Sequence, residues 1–239
     1  MFWKEFKCVP ILLFAFGFLS PIALPALAAT TATEYRELGL RYRNEGQFPA
    51  AIAAFQKSVK LDPKTASGWV LLGWTQHLAT QEKAAAESLV QAIRLDSTNV
   101  PAFNALGIVY LVQGDLNWTL FTHRWALLLQ DDNEIAYYNL SLAYERLKSY
   151  KVAIDMAQKA AKLEPSNPHP LVAAAIAHLG SGDRAAARES YRQAIALESR
   201  YRDRAFLAED LKQAGFSSDQ IQRTEAVLDL VNESEEHSS

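Results

Sequence analysis

The sequence predicts an all-α fold, a right-handed solenoid of five antiparallel helix pairs followed by C-terminal capping helices. Three observations predict it. Large apolar residues recur every 34 positions, small residues keep fixed places between them, and glycine or proline falls near the ends of the units. A fixed period of this length indicates stacked supersecondary units, because one such unit cannot bury its own apolar face.

The first helix of each unit is marked by a large side chain at the start of the period. These side chains are Tyr35, Trp69, Phe103, Tyr137 and Leu171. A leucine follows three residues later in the first four units, and then a glycine in the first three, at Gly39, Gly73 and Gly107. Small residues at this place allow two helix backbones to approach closely.

The second helix of each unit carries its own markers. A leucine recurs near its end without exception, at Leu61, Leu95, Leu129, Leu163 and Leu197. Gly46, Gly114 and Gly182 mark the turn between the helices, where a helix often ends in a positive φ. The predicted units are 32–65, 66–99, 100–133, 134–167 and 168–201.

This pattern resembles the tetratricopeptide repeat, whose signature is W-x-x-L-G-x-x-Y, then A-x-x-x-F, then P. The first unit, from Tyr35 to Pro63, follows it closely. Unit three departs from it at Thr119 and His123, and unit five at Ala175 and His178. The resemblance implies a concave groove, lined by the first helices, that holds segments of other proteins.

The segment after the repeats, 202–231, is predicted to form capping helices. Ser217 and Gln220 have the spacing of a capping box at the start of the last helix. Residues 232–239 contain three Glu and three Ser, so a frayed, disordered tail is expected there.

The N-terminus has the features of an export signal. Lys4 and Lys7 precede an apolar run, and Ala26-Leu27-Ala28 offers a signal peptidase site, so residues 1–28 are predicted to be removed. The alternative is an uncleaved membrane anchor, because 9–29 is long enough to span a bilayer. Both interpretations place the chain outside the cytoplasm, in a periplasm or a thylakoid lumen.

Composition and motifs argue against several classes of function. The chain has 239 residues, a net charge of −3 and one cysteine, Cys8, which disfavours nucleic-acid binding and a cysteine metal site. No phosphate-binding loop or zinc-protease motif occurs. His169 and His178 are nine residues apart, which does not bring two ligands onto one helical turn. We therefore expect no catalytic residue, no metal and no cofactor.

The candidate binding groove is an apolar ladder on the first helices, with a row of flanking residues. The ladder is Leu40, Trp74, Ile108, Leu142 and Ile176, and the flanking row is Arg36, Val70, Asn104, Tyr138 and Val172. Family members that hold a C-terminal carboxylate use Lys, Arg and Asn at such places, so that clamp is expected to be absent. The alternative is that the ladder is internal packing, or is covered by the chain's own tail.

A second candidate surface lies on the second helix of unit three. Its outward positions are Trp118, Phe121, Trp125 and Leu128, where the other units mostly carry Ala and charged residues. An exposed aromatic patch would indicate a contact site. Alternatively, the helix is rotated about its axis and buries these rings.

The function predicted from these features is a non-enzymatic scaffold for protein–protein interaction. It would bind an apolar or amphipathic segment of a partner in the groove. The chain also weakly resembles the exported assembly factors of cyanobacteria and plastids, and this resemblance implies assistance to membrane or photosynthetic complexes. The alternatives are a subunit that self-associates through the aromatic patch and, last, a metal carrier or an enzyme.

Overall fold

The computed structural model describes the backbone of residues 31–236 and the side chains of 31–234. The predicted export signal or anchor, 1–28, lies outside these residues. The described chain forms twelve α-helices and one 3₁₀ turn, Ser199–Arg202, and contains no strand. The helices are α1 Ala32–Asn44, α2 Phe48–Leu61, α3 Ala66–Leu78, α4 Glu82–Leu95, α5 Val100–Gln113, α6 Leu116–Leu129, α7 Glu134–Arg146, α8 Tyr150–Leu163, α9 His169–Gly180, α10 Arg184–Leu197, α11 Arg204–Gln213 and α12 Ser218–Glu236.

The first ten helices form five antiparallel pairs, and each pair packs on the next. The odd-numbered helices are the predicted first helices, and the even-numbered helices are the predicted second helices. The all-α solenoid expected from the 34-residue period is therefore confirmed.

Close packing within a pair depends on the small residue of the first helix. A Cβ atom on Gly39 would lie 2.7 Å from the ring of Phe55, and one on Gly73 would lie 2.7 Å from Cγ of Leu89. Both distances are shorter than van der Waals contact, so only glycine fits opposite these large side chains. In unit four Ser141 replaces the glycine, and the matching position of the second helix is the small Ala157.

The turns between paired helices all need a residue with positive φ. Gly46, Gly114 and Gly182 provide it as predicted, with φ between 73° and 89°. Thr80 and Lys148 adopt φ 57° at the matching turns of units two and four. Only the 34-residue period marks these two turns in the sequence, because neither residue is a glycine.

The C-terminal helices α11 and α12 fold back into the concave side of the solenoid. The hydroxyl of Tyr138 on α7 donates to the backbone oxygen of Ala214, at 2.7 Å, and Phe216 lies against the Tyr138 ring. The turn that joins α11 to α12 therefore lies inside the groove. Leu207, Leu211, Val227 and Leu228 are buried in one core cluster with α7 and α9.

Polar contacts fix α12 across the groove. Gln220 Nε2 donates to the backbone oxygen of Leu142, at 3.1 Å, and to Oε2 of Glu145, at 2.9 Å. Arg223 pairs with the same carboxylate. Burial raises the pKa of Glu145, and the attraction of Arg223 opposes that rise. The predicted capping box is present, since Ser217 and Gln220 exchange their backbone and side-chain hydrogen bonds.

A second polar cluster fixes α11 to the last repeat. Asp210 accepts from the hydroxyl of Tyr201, at 2.6 Å, and contacts Nε2 of His169 at 2.9 Å. Burial raises the pKa of Asp210, but the hydrogen bonds with His169 and Tyr201 outweigh it, so the net shift is downward. The carboxylate thus joins the start of α9 to the middle of α11.

The tail differs from its prediction. The last helix continues to Glu236, where the sequence indicated a frayed segment from residue 232. Arg192 on α10 donates to Oγ of Ser234, at 2.7 Å, and this contact holds the last turns against the solenoid. Residues 237–239 lie outside the described part. Among residues 31–236, no helix combines the length and hydrophobicity needed to cross a bilayer.

The depth of this C-terminal packing can be tested with two phenylalanines. Phe216→Ala should lower the free energy of unfolding by about 3–5 kcal/mol, because the ring is buried against Tyr138. The matched control Phe121→Ala removes a half-exposed ring and should cost less than about 1 kcal/mol. Urea denaturation followed by circular dichroism measures the free energy of unfolding of both variants. Equal losses in the two variants would contradict the burial of Phe216 at the turn between α11 and α12.

Candidate functional site

The apolar ladder is divided into an open part and a covered part. Leu40 on α1, Trp74 on α3 and Ile108 on α5 are each partly exposed on the concave side. Leu142 and Ile176 are 0% exposed, and both belong to the core cluster that includes α12. The expected continuous stripe of five accessible positions is therefore not formed in this structure.

The flanking row is divided at the same point. Tyr138 and Val172 are buried beneath the C-terminal helices, while Arg36 and Val70 remain partly exposed. The sequence prediction of an accessible row needs correction at Tyr138, Val172, Leu142 and Ile176. The physical reason is that apolar residues of α11 and α12, which belong to the same chain, share one core cluster with these four positions.

Asn104 is buried although it faces the groove. Its side chain exchanges two hydrogen bonds with Asn133, at 3.2 and 3.1 Å. Asn133 also caps α7 by accepting from the backbone of Ala136. Asn104 is therefore engaged in joining unit three to unit four, and its amide does not point freely to a guest.

The open half of the groove is apolar in its centre and basic at one end. Arg36 and Arg43 lie on α1, and Arg36 is 3.6 Å from Asp62. Trp74 lies on α3 with the His77 ring 5.1 Å away, and His77 Nδ1 contacts Glu82 at 2.8 Å. An apolar guest side chain would meet Trp74 and Ile108, and an acidic flank would meet the two arginines.

The aromatic patch is a surface feature, not part of the core. Trp118, Phe121, Trp125 and Leu128 are 53%, 52%, 40% and 75% exposed. Their rings form a chain of contacts, with centroids 5.6 Å apart for Trp118 and Phe121 and 6.1 Å apart for Phe121 and Trp125. The sequence left open whether α6 exposes or buries these rings, and in the structure they are exposed.

The orientation of α6 follows from the residues that it does bury. Thr119 and His123 occupy the inner positions and are 0% exposed. The His123 ring lies so close to Gly107 that a Cβ there would be 2.4 Å from Nε2. Neither ring nitrogen of His123 has a hydrogen-bond partner, and burial lowers its pKa to about 3.

A shallow concavity of about 260 Å³ adjoins the patch. It runs between α4, α5 and α6, and its wall includes Ile93, Arg94, Tyr110 and Trp118. The Tyr110 and Trp118 rings are stacked at 6.1 Å. The patch thus continues as an apolar surface onto the neighbouring helices, which sequence spacing alone did not reveal.

The described residues offer surfaces for contact and no cluster suited to metal chemistry. Within residues 31–236, no group of three or more His, Cys, Asp or Glu side chains is placed to hold a metal ion. The arrangement can bind apolar side chains at two separate places, the open half of the groove and the patch on α6.

Two segments of the chain match family models. Residues 32–65 and residues 135–167 each match a model described as tetratricopeptide repeat. Together these matches cover less than a third of the chain, and the other three helix pairs share the 34-residue period and the paired-helix fold.

Curated relatives are longer proteins. Anaphase-promoting complex subunit 3 of Schizosaccharomyces pombe is 30% identical over 115 residues, which is 48% of this chain and 17% of that protein. The peroxisomal targeting signal receptor of Komagataella phaffii is 30% identical over 134 residues, which is 54% of this chain and 23% of the receptor. The matched part thus spans less than a quarter of either relative.

Solved structures agree in fold. A crystal structure of MamA protein is 27% identical with a TM-score of 0.62, and the match covers 71% of this chain and 92% of MamA. The APC/C hetero-tetramer Cut9–Hcn1 is 21% identical with a TM-score of 0.65, covering 78% of this chain and 36% of that one. The second likeness shows the fold alone.

The buried histidine makes a prediction for stability against pH. The pKa of His123 is about 3 in the folded chain and about 6.5 when unfolded, so the unfolded chain takes up the proton first. Above pH 6.5 His123 is neutral in both the folded and the unfolded chain, so the free energy of unfolding has its full value. As pH falls from 6.5 towards 3, the free energy of unfolding decreases by up to about 1.4 kcal/mol per pH unit. His123→Leu introduces the residue that unit two has at the matching position, Leu89. This variant should show a smaller loss of stability in acid.

Denaturation midpoints between pH 7 and pH 4 measure the difference between the variant and the natural chain. His178→Gln, at a partly exposed position, is the control in which the loss should persist. An identical pH profile for His123→Leu and the natural chain would contradict the buried, unpaired histidine.

Proposed function

We propose that this tetratricopeptide-repeat solenoid is a non-enzymatic scaffold that binds a short apolar or amphipathic segment of another protein. The observation that carries the proposal is the open half of the groove. Leu40, Trp74 and Ile108 stand partly exposed on three successive first helices, although each is large and apolar. Such a concave apolar surface is suited to the side chains of an extended or helical guest.

The length of the guest follows from the covered half of the groove. Because α11 and α12 fill the concave side of units four and five, only units one to three are accessible. The guest is therefore short, and it contributes two or three apolar anchors. A basic end formed by Arg36 and Arg43 favours an acidic residue next to those anchors.

The affinity expected of such a site is moderate. A fully buried apolar side chain is worth roughly 1.5–3 kcal/mol, and two or three anchors must also offset the cost of ordering the guest. A dissociation constant on the order of micromolar results. This value suits transient capture, as in the assembly of a larger complex, better than a permanent subunit contact.

The comparisons support binding to proteins in general terms. Relatives include a subunit of the anaphase-promoting complex and a targeting signal receptor, and both names describe proteins that act through other proteins. We also propose that the chain works outside the cytoplasm, after export or as an anchored protein, because of the apolar N-terminal run. More specifically, we propose that the chain assists membrane or photosynthetic complexes.

Trp74→Ala and Ile108→Ala should each weaken capture of a groove-binding partner about tenfold or more, with the fold intact. The reason is that each removes one of the few anchors left open by the C-terminal helices. The partner is obtained by crosslinked pull-down from membranes, and its peptide is then titrated by calorimetry. Binding should depend weakly on salt, since the contacts are mainly apolar.

The matched control for this experiment is Ile176→Val. It changes the same ladder position in unit five, which is buried, so capture should stay unchanged while stability falls by about 0.5–1.5 kcal/mol. Wild-type capture by both Trp74→Ala and Ile108→Ala, or collapse of binding in moderate salt, would overturn the apolar groove.

The export proposal has a separate test. N-terminal sequencing of the native protein should begin at Ala29, because a signal peptidase requires the small residues Ala26 and Ala28 before its cut. An intact Met1 in a membrane fraction would indicate the anchor, and an intact Met1 in the cytoplasm would contradict both forms of the proposal.

A further inference from the structure

The aromatic patch on α6 has the form of a ridge. Its four residues, Trp118, Phe121, Trp125 and Leu128, follow one another at spacings of three, four and three, so they lie along one side of the helix. Each is at least 40% exposed, and the three rings contact one another in sequence. A soluble protein leaves such a ridge uncovered only at a cost, which indicates an external contact.

The charges around the ridge are mainly positive. Within the described chain, the five second helices α2, α4, α6, α8 and α10 expose ten Lys or Arg side chains and three Asp or Glu side chains. This excess contrasts with the net charge of −3 for the whole chain. The convex side of the solenoid is therefore basic, although the protein as a whole is acidic.

Two arginines lie directly beside the ridge. Arg94 on α4 lines the same concavity as Trp118 and Phe121, and Arg124 on α6 lines the surface next to Phe121 and Trp125. The helix that carries the ridge exposes no carboxylate along its length. The nearest acidic residues in the sequence, Asp115, Asp131 and Asp132, lie in the turns at its two ends.

A second copy of the chain is a poor match for this surface. Two ridges placed face to face would bring two copies of α6 together, and this helix carries Arg124 and no carboxylate to pair with it. The area is also small. At about 200 Å² for each large side chain, the exposed fractions of the four ridge residues alone give roughly 450 Å² per copy, against about 800 Å² in a standard stable interface.

We propose that the aromatic patch docks on the surface of an anionic lipid bilayer. Tryptophan and phenylalanine rings are favoured at the boundary between headgroups and acyl chains, where an apolar body and a polar edge are both accommodated. Lysine and arginine beside them attract anionic headgroups and hydrogen-bond to their phosphates. The ridge and the basic surface around it supply both parts on the same side of the molecule.

This docking leaves the groove accessible. The ridge is on a second helix, on the convex side, whereas Trp74 and Ile108 are on first helices, on the concave side. A docked protein would therefore present its groove away from the lipid and towards partners in solution. The inference does not depend on the groove being used, since it rests on the opposite face.

Tryptophan fluorescence of the full chain tests the proposal. Vesicles of phosphatidylcholine and phosphatidylglycerol that contain brominated phosphatidylcholine should quench the emission, and vesicles without phosphatidylglycerol should quench it several-fold less. Trp118→Phe/Trp125→Phe should remove most of the quenching, which assigns the signal to the patch. Trp3→Phe is present in every sample, so the apolar N-terminal run carries no tryptophan reporter, and residues 1–30 are otherwise the same throughout.

Two further variants keep both reporter tryptophans. Phe121→Gln/Leu128→Gln and Arg94→Gln/Arg124→Gln should each reduce the quenching at least threefold. The matched control Val152→Gln/Leu163→Gln removes two exposed apolar side chains from α8 and should quench like the natural chain. Circular dichroism confirms that each variant is folded.

Other results would overturn the proposal or assign the patch to a different partner. Emission that anionic vesicles leave unquenched, or quenching that persists in Phe121→Gln/Leu128→Gln, would overturn the proposal. A dimer seen by light scattering that this variant converts to a monomer, with no response to lipid, would assign the patch to a second copy instead.

Discussion

The close approach of the two helices in each pair, at the small residue of the first helix, is the constraint on which this structure depends. At Gly39 and Gly73 the backbones come so close that a single added carbon would overlap Phe55 or Leu89. This contact sets the distance and angle within a pair, and repetition every 34 residues then sets how pairs stack. The concave and convex faces are consequences of that repetition.

Unit three shows what happens when the contact is altered. His123 fills the place of Phe55, and it stays buried with both ring nitrogens unpaired. The small Gly107 opposite it keeps the pair close, so α6 holds the orientation of the other second helices. Because the inner positions are occupied by Thr119 and His123, the aromatic residues of α6 have no place in the core and remain on the outside.

The two C-terminal helices, α11 and α12, determine which part of the groove is open. A solenoid must cover the exposed face of its last repeat, and α11 and α12 do so by entering the concave side. Hydrogen bonds to Tyr138 and Glu145 on α7 and to His169 on α9 fix these two helices to the solenoid. The cover is thus an integral part of the fold, and it leaves only the concave side of the first three units open.

The sequence by itself determined the helices and their pairing, because these follow from residue spacing within about 34 positions. It left open whether Trp118 and Trp125 point outward or into the core, and the packing of α6 decided that they are exposed. The sequence also identified the capping box at Ser217, which needs only local geometry. Which ladder residues are accessible was decided by the tertiary structure alone. Leu142 and Leu40 have the same chemistry and the same place in the repeat, but Leu142 is covered by Gln220 and its neighbours, more than 70 residues later. Periodicity describes each unit and its neighbours, and it carries no information about a segment that folds back from outside the repeat.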